Sequence, residues 1–335
     1  MVVDEFNATA DCFLPLNLSC SKLYTSTVVY VLLYVAATAV ILLTVGGNLL
    51  VIISVCHFRQ LHTPTNILIL SLALSDFLVG IFVMPVHLFI LIEPCILFGS
   101  TFCSLYNTVV FHLTLVSIYN VALIAVDRYS ALSMPFIYSK RVSVCLAFIF
   151  TAHIWILSLL YNCALLYFSN YFINKCPGRC LPYLDDTWST IDLAVAFIVP
   201  CAIIVITYLK VFFIARRHAV AIRATFKDKK RMHDQNNSDS MKSERKAARV
   251  LGILVSVFLV CLIPFNICTF LIDELGKSFD YVMNSMLTLL FLNSTINPII
   301  YALFYPWFQY SIKLILTRRI CRVDSSLINV LSRGS

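Results

Sequence analysis

Asp76, Asp127, Arg128 and Asp192 are ionisable side chains that stand inside long apolar stretches of this 335-residue sequence. A charge in apolar surroundings is costly, so each must meet a counter-charge, a hydrogen-bond partner or a small cation. Groups of this kind serve ion recognition and ion-pair switching. Covalent catalysis fits poorly, because no nucleophile and base occur at workable spacing. No Cys/His set has the spacing of zinc ligands either. We expect neither an enzyme nor a structural metal, and no cofactor.

The elements that must position these groups follow from composition. Of the residues, 60% are hydrophobic and 13% charged, and mean hydropathy is +0.88; soluble domains are about half apolar and a quarter charged. The apolar residues form seven runs, 26–54, 65–92, 100–130, 143–168, 188–214, 246–273 and 280–304. Each reaches the length of roughly 20 residues that a helix needs to cross the hydrocarbon core. They lack the two-residue alternation of barrel strands, so helices must satisfy the backbone in lipid. The expected fold is an all-α membrane protein, a seven-transmembrane-helix bundle. Residues 1–25 form an outer tail, 26–304 the membrane domain, and 305–335 a juxtamembrane helix and cytoplasmic tail. The net charge of +8 sits in short loops and not on a foldable basic surface, which argues against nucleic acid as a partner.

Lys and Arg set the orientation. The segment between runs five and six carries Arg216, Arg217, Arg223, Lys227, Lys229, Lys230, Arg231, Lys242, Arg245, Lys246 and Arg249, and the tail carries Lys313, Arg318, Arg319 and Arg322. These ends are expected in the cytoplasm, and seven crossings then place the N-terminus outside. The first 25 residues lack the pattern of a removable signal peptide, so the first span is expected to target the chain itself. Sequons at Asn7 and Asn17 lie in the outer tail, where glycosylation can occur. Of 13 cysteines, Cys12, Cys20, Cys95, Cys103, Cys176 and Cys180 map to the oxidising side or its boundary. Cys145, Cys163, Cys201, Cys261 and Cys268 fall within spans and read as packing residues.

A landmark stands in every span. Asn48 follows Gly47, Asp76 ends Leu72-Ala73-Leu74-Ser75-Asp76, and Cys103 is followed by Asp127-Arg128-Tyr129 and Trp155. Then come Pro200 with Tyr208, Cys261 three residues before Pro264, and Asn297-Pro298-Ile299-Ile300-Tyr301. In this order the set resembles the rhodopsin-like G-protein-coupled receptors. The stretch from Asn293 to Phe308 further resembles the fingerprint of trace amine-associated receptors.

The resemblance implies a plasma-membrane receptor for small molecules that engages a heterotrimeric G protein. Coupling is expected to be stimulatory, raising cyclic AMP, and the subfamily implies chemosensory use in olfaction. Arg128 beside Asp127 and Tyr129 would pair with Glu244 in the inactive state, and release would let span six swing outward. Pro200, Ile118 and Phe258 match the family's transmission triplet, with Tyr208, Asn297 and Tyr301 as further switch positions. Asp76, Ser117, Asn293, Ser294 and Asn297 match its sodium pocket, an allosteric site whose alternative occupant is water.

The sequence also departs from the family. The span-three aspartate that pairs with amines stands seven residues after the conserved Cys, and here that residue is Val110. Leu262 occupies the position of the tryptophan toggle, and Thr288 and Phe291 stand where amine receptors often carry Trp and Tyr. Asp192, eight residues before Pro200, replaces a serine of many catecholamine receptors. Fish olfactory members lacking the span-three acid carry one here. Asp192 is the expected ammonium anchor; the alternative has it facing water or binding Lys175, Arg179 or Ser189. Phe111, Thr114, His87, Phe265, Asn266 and Phe291 are expected around the same outer cavity, where aromatic walls suit an apolar cation. Asp185 and Asp186 lie near its entrance and either attract cations or are merely solvated.

By resemblance Cys103 pairs with Cys180, and Cys176 with the N-terminal tail at Cys20, though Cys12 and Cys95 leave other connectivities open. Pro306 to Arg322 spaces Phe308, Ile312 and Leu316 as a short amphipathic eighth helix on the inner leaflet, with Cys321 available for palmitoylation. Residues 227–245 are polar and charge-mixed and read as a loop. The competing readings are a receptor of the same fold for a non-amine small molecule and a constitutively active orphan receptor. A transporter or channel would want repeated halves or a continuous polar path, and the sequence has neither.

Overall fold

The computed structural model describes residues 26–93, 98–169, 180, 184, 186–227, 235–270, 279–321 and 325–331. Side chains at 100, 186, 215, 217–227, 235–249, 251, 270, 279–281 and 321 are excepted. Among the described residues, seven helices are long and apolar enough to cross a membrane. Span one is Thr27–His57, span two Pro64–Ile92, span three Ser100–Ser133 and span four Val144–Phe168. Span five runs from Asp186 to Lys227, span six is Gln235–Phe270 and span seven is Phe279–Phe304. A short helix, Pro135–Arg141, joins spans three and four, and an amphipathic helix, Pro306–Leu316, follows span seven.

Local chemistry starts these helices. Thr63 caps span two by accepting a hydrogen bond from the Asn66 amide, with Pro64 in the first turn. Ser143 does the same for span four at Leu146. Pro264 and Pro298 lie inside spans six and seven, where each deletes one ladder hydrogen bond. From residue 235 onward the polar segment ahead of span six is helix and not the loop that its composition suggested, while 228–234 lie outside the described residues. The helix already begins at Gln235, because Glu, Lys, Arg and Ala are good helix formers and polarity alone does not end a helix that leaves the bilayer.

Two further departures from α geometry are π segments, Val79–Val83 in span two and Leu193–Ile198 in span five. Each adds a residue to the helical repeat and so resets the azimuth of what precedes it. The Tyr119 hydroxyl donates to the Val195 carbonyl inside the second segment (3.0 Å), tying span three to it.

In lipid the helices are held by close packing and interhelical hydrogen bonds. Gly47 is an example: a Cβ there would lie 2.8 Å from Pro298 Cγ, so only glycine lets spans one and seven meet. Alongside, Thr44 and Thr295 share a 2.6 Å hydrogen bond, and Asn48 donates to the Ser294 carbonyl. Trp155 of span four donates to Ser71 of span two (3.0 Å). The largest buried cluster among the described residues joins Val51, Leu72, Ile118, Leu254, Phe258 and Tyr301. Phe308 and Leu314 of the amphipathic helix enter it, and Leu316 is exposed. The tail then returns beneath span one, where Ser325 Oγ lies 3.0 Å from His57 Nε2 and Val330 is buried.

Candidate functional site

At the end of the bundle where span three begins, Cys103 and Cys180 form a disulfide. One turn further down span three, Asn107 donates to the Cys180 carbonyl (2.8 Å), so the loop is tied to span three twice. Cys20 and Cys176, like Asn7 and Asn17, lie outside the described residues, as do Cys12, Cys95, Lys175, Arg179, Asp185 and the side chains of Asp186 and Cys321.

Asp192 is half-buried at the last residue before the π segment of span five. Its Oδ1 accepts a hydrogen bond from the Tyr161 hydroxyl of span four (3.1 Å). Neither Ser189 nor any described cation takes that place. Two turns beyond Tyr161, Phe168 stacks on Trp188, one turn before Asp192 (5.9 Å between centroids, 12° between planes). The carboxylate thus faces a phenol with an aromatic stack on its outer side. A carboxylate so placed retains lone pairs for a cationic ligand.

The other expected pocket residues divide. Val110 packs near Phe291 in an apolar cluster with Val83, Met84 and Leu113. Phe265 packs against the larger inner cluster, and Asn266 donates to its own helix at Leu262. Phe111 and Thr114 are half-buried on span three. His87 is buried between spans two and seven, where Nε2 meets Thr288 Oγ1 (2.9 Å) and the Asn284 carbonyl (3.2 Å) and the ring packs edge-on against Phe291 (5.0 Å).

Mid-bundle, Asp76 is wholly buried. Ser294 donates to its Oδ1 (2.8 Å) and Asn297 to its Oδ2 (2.7 Å), while Ser117 bonds the neighbouring Ser75 (3.0 Å). The Oδ1 atoms of Asn293 and Asn297 are buried without a partner among the described residues. A buried carboxylate ringed by hydroxyls and orphaned amide oxygens suits a small hard cation, so the residues fit sodium.

At the opposite end of span three, Asp127 gathers four contacts. Oδ2 accepts from Thr65 (2.8 Å) and from the Arg128 guanidinium (2.6 and 3.0 Å), and Oδ1 from Tyr138 (2.7 Å). Arg128 also donates to Thr65. Burial, then the Asp127 charge, push the Tyr138 phenol up to about 12, so it remains a donor at physiological pH. The Glu244 side chain lies outside the described residues. Lys210 sits over the Tyr129 ring (5.4 Å). Tyr208 packs where a Cβ on Gly252 would stand, 3.1 Å from its ring. Ile118 and Phe258 share one buried cluster, Pro200 is buried, and the buried Tyr301 hydroxyl has no partner among the described residues.

Sequence reasoning missed Tyr161, Thr65 and Tyr138. A lone tyrosine in an apolar span is a weak signal, and helix-to-helix register is not encoded in spacing along one chain.

Residues 47–301 match the family described as 7 transmembrane receptor (rhodopsin family). The chain is 37% identical over 344 residues to trace amine-associated receptor 13c of Danio rerio, covering 97% of each. It is 38% identical over 332 residues to receptor 8a of Rattus norvegicus, covering 96% of each. With receptor 4 of the same species it is 34% identical over 327 residues, 95% of this chain and 94% of the relative.

Proposed function

Because the chain belongs to the rhodopsin family of seven-transmembrane receptors, with trace amine-associated receptors as full-length relatives, we propose that it senses small amines through Asp192. It is a multi-pass membrane receptor and not an enzyme, with a small-molecule ligand and a G protein as partners. The observation that carries the amine reading is a half-buried carboxylate whose described partner is a neutral phenol. An ammonium there forms a charge-assisted hydrogen bond with the carboxylate in partly desolvated surroundings. With Val110 in place of an acid, the opposite wall offers no second charge. The ligand is therefore a monoamine whose hydrocarbon part rests on Val110, Phe111, Thr114, Phe265, Asn266 and Phe291.

Ligand seated between spans three and five biases the packing of Pro200, Ile118 and Phe258. That packing sets where span six rests, and Tyr208, Asn297 and Tyr301 adjust with it. At the inner end Asp127 and Thr65 hold Arg128, with Glu244 as the partner expected from span six. Releasing Arg128 opens the face for a stimulatory G protein, the N-terminus being outside. Sodium, when bound by Asp76, Ser117, Asn293, Ser294 and Asn297, supplies a positive charge that favours the inactive packing. Asn7 and Asn17 are proposed glycosylation sites, Cys20–Cys176 a second disulfide, and Cys321 a palmitoylation site.

The test is cyclic AMP in cells expressing the receptor, challenged with mono-, di- and polyamines beside Asp192→Asn at matched surface expression. Monoamine responses that vanish in the variant support the reading. Responses that persist refute it and favour the second reading, a neutral ligand, which rests on the apolar Val110 and Leu262.

A further inference from the structure

Beyond the amphipathic helix the chain turns back toward span one. Among the described residues Arg318 is the one residue other than glycine with a positive φ (54°), a left-handed conformation that costs an L side chain energy and needs tertiary contacts to keep it. The short turn Ser325–Leu327 then packs on the turn Arg59–Leu61, just past the end of span one. Ser325 is buried there, and its hydroxyl donates to the Ile320 carbonyl. A serine has one proton to give, so the 3.0 Å contact with His57 is a bond from Nε2–H to Ser325 Oγ. The His57 ring itself stands edge-on against Phe58 (5.0 Å). Three residues past the turn, Val330 is buried in the same cluster as Phe58 and Leu61, while Leu327, Asn329 and Leu331 are exposed.

The amphipathic helix is joined as firmly to span seven. Only Tyr305 separates the two helices, and Gln309 bridges the junction by donating to the Ala302 carbonyl (2.9 Å). Span seven, the amphipathic helix, the tail and span one therefore close a ring, and a displacement of the end of span seven must strain it or open it. The anchor on span one is the member that gives way. Among the described residues it consists of one side-chain hydrogen bond and the buried Val330, and segments held by so few contacts open locally at little cost. Val330 also shares its cluster with Tyr301, Phe308, Ile118 and Phe258. Seating of the tail and packing around the switch are thus parts of one core.

We propose that residues 325–330 are a detachable strap, seated on the end of span one, that holds the amphipathic helix and span seven in the packing in which Asp127 retains Arg128. Coupling between two sites is reciprocal. A G protein that draws the bundle into another packing loosens the strap, and loosening the strap favours the G protein. The strap rests on the receptor fold and not on the amine reading, so its fate is independent of Asp192.

The test uses the full-length receptor at matched surface expression, without added ligand, and reads coupling as bioluminescence transfer from the receptor to Gα subunits of each major class. Val330→Asp puts a charge into the buried seat. It should raise basal transfer to the class that couples about two- to fivefold, and Leu331→Asp, at its exposed neighbour, should leave it unchanged. Ser325→Ala and His57→Ala should each give a smaller rise, and the two together no more than one alone. Hydrogen exchange on the purified receptor separates release from unfolding: amides 325–331 should exchange about tenfold faster in Val330→Asp, with those of span two unchanged. If span two also exchanges faster, the Ser325 and His57 variants decide. The proposal is overturned by basal transfer that stays level or falls when the strap is released, by an equal rise in Leu331→Asp, or by additive effects of Ser325→Ala and His57→Ala. Exchange at 325–331 that Val330→Asp does not change, or that is already as fast as in a free peptide, overturns it as well.

Discussion

Removing the Tyr161 hydroxyl tests the outer site more sharply than removing Asp192. Tyr161→Phe keeps the ring and its packing and deletes one donor to Oδ1. Hydrogen bonds to charged groups contribute about 1.5 to 3 kcal/mol. The O–H···O separation of 3.1 Å is long for its type, so the lower end applies. Part of that is recovered when water replaces the phenol, leaving about 1 kcal/mol that acts on ligand binding through the carboxylate's orientation. The expected rise in the monoamine concentration for half-maximal cyclic AMP is about fivefold. Asp192→Asn removes the charge itself and should cost about a hundredfold. In the Asp192→Asn background Tyr161→Phe should have no further effect, a coupling of about 1 kcal/mol in a double-mutant cycle. The assay is the dose response at matched surface expression. Equal effects of Tyr161→Phe in both backgrounds would mean that the phenol does not act through Asp192, and the argument for a presented carboxylate would fail.

The inner end and the core yield further expectations. Tyr138→Phe and Thr65→Ala each strip a donor from Asp127 and should raise ligand-independent cyclic AMP about two- to fivefold, with an unchanged baseline counting against a restraint on Arg128. Asp76→Asn should abolish the difference in agonist potency between sodium and a bulky organic cation in the assay buffer; a difference that survives would remove sodium from that pocket. Gly47→Ala forces its new methyl into Pro298 and should destabilise the bundle by about 1 to 3 kcal/mol, read as a lower melting temperature of the purified receptor.

What the sequence discloses and what it withholds have different physical origins. The spans are legible because crossing a bilayer imposes a length and a composition on each of them separately, and the runs drawn from hydrophobicity overlie the helices within a few residues at most ends. Asp76 could be matched with Ser294 and Asn297 through its resemblance to a family pattern, and both do donate to it. The Tyr161 to Asp192 bond is another matter, since it depends on how far span four is rotated and raised against span five. The helical start at Gln235 was hidden because hydropathy marks where a helix leaves lipid and not where it ends. His87 was expected to face a cavity with Asp192, yet its described contacts are Thr288, Asn284 and Phe291; depth along a span is readable, and direction around it is not.

The π segment at Leu193–Ile198 carries an evolutionary consequence. Substitutions that return the segment to regular α geometry at unchanged length would swing Asp192 by about 100° and shift it about 1.5 Å along the axis. The acid would leave Tyr161 without any residue of the pocket having been exchanged. Gene duplicates of such a receptor can thus acquire new chemical tuning through a change of helical geometry in span five, a route that comparing pocket residues position by position would overlook.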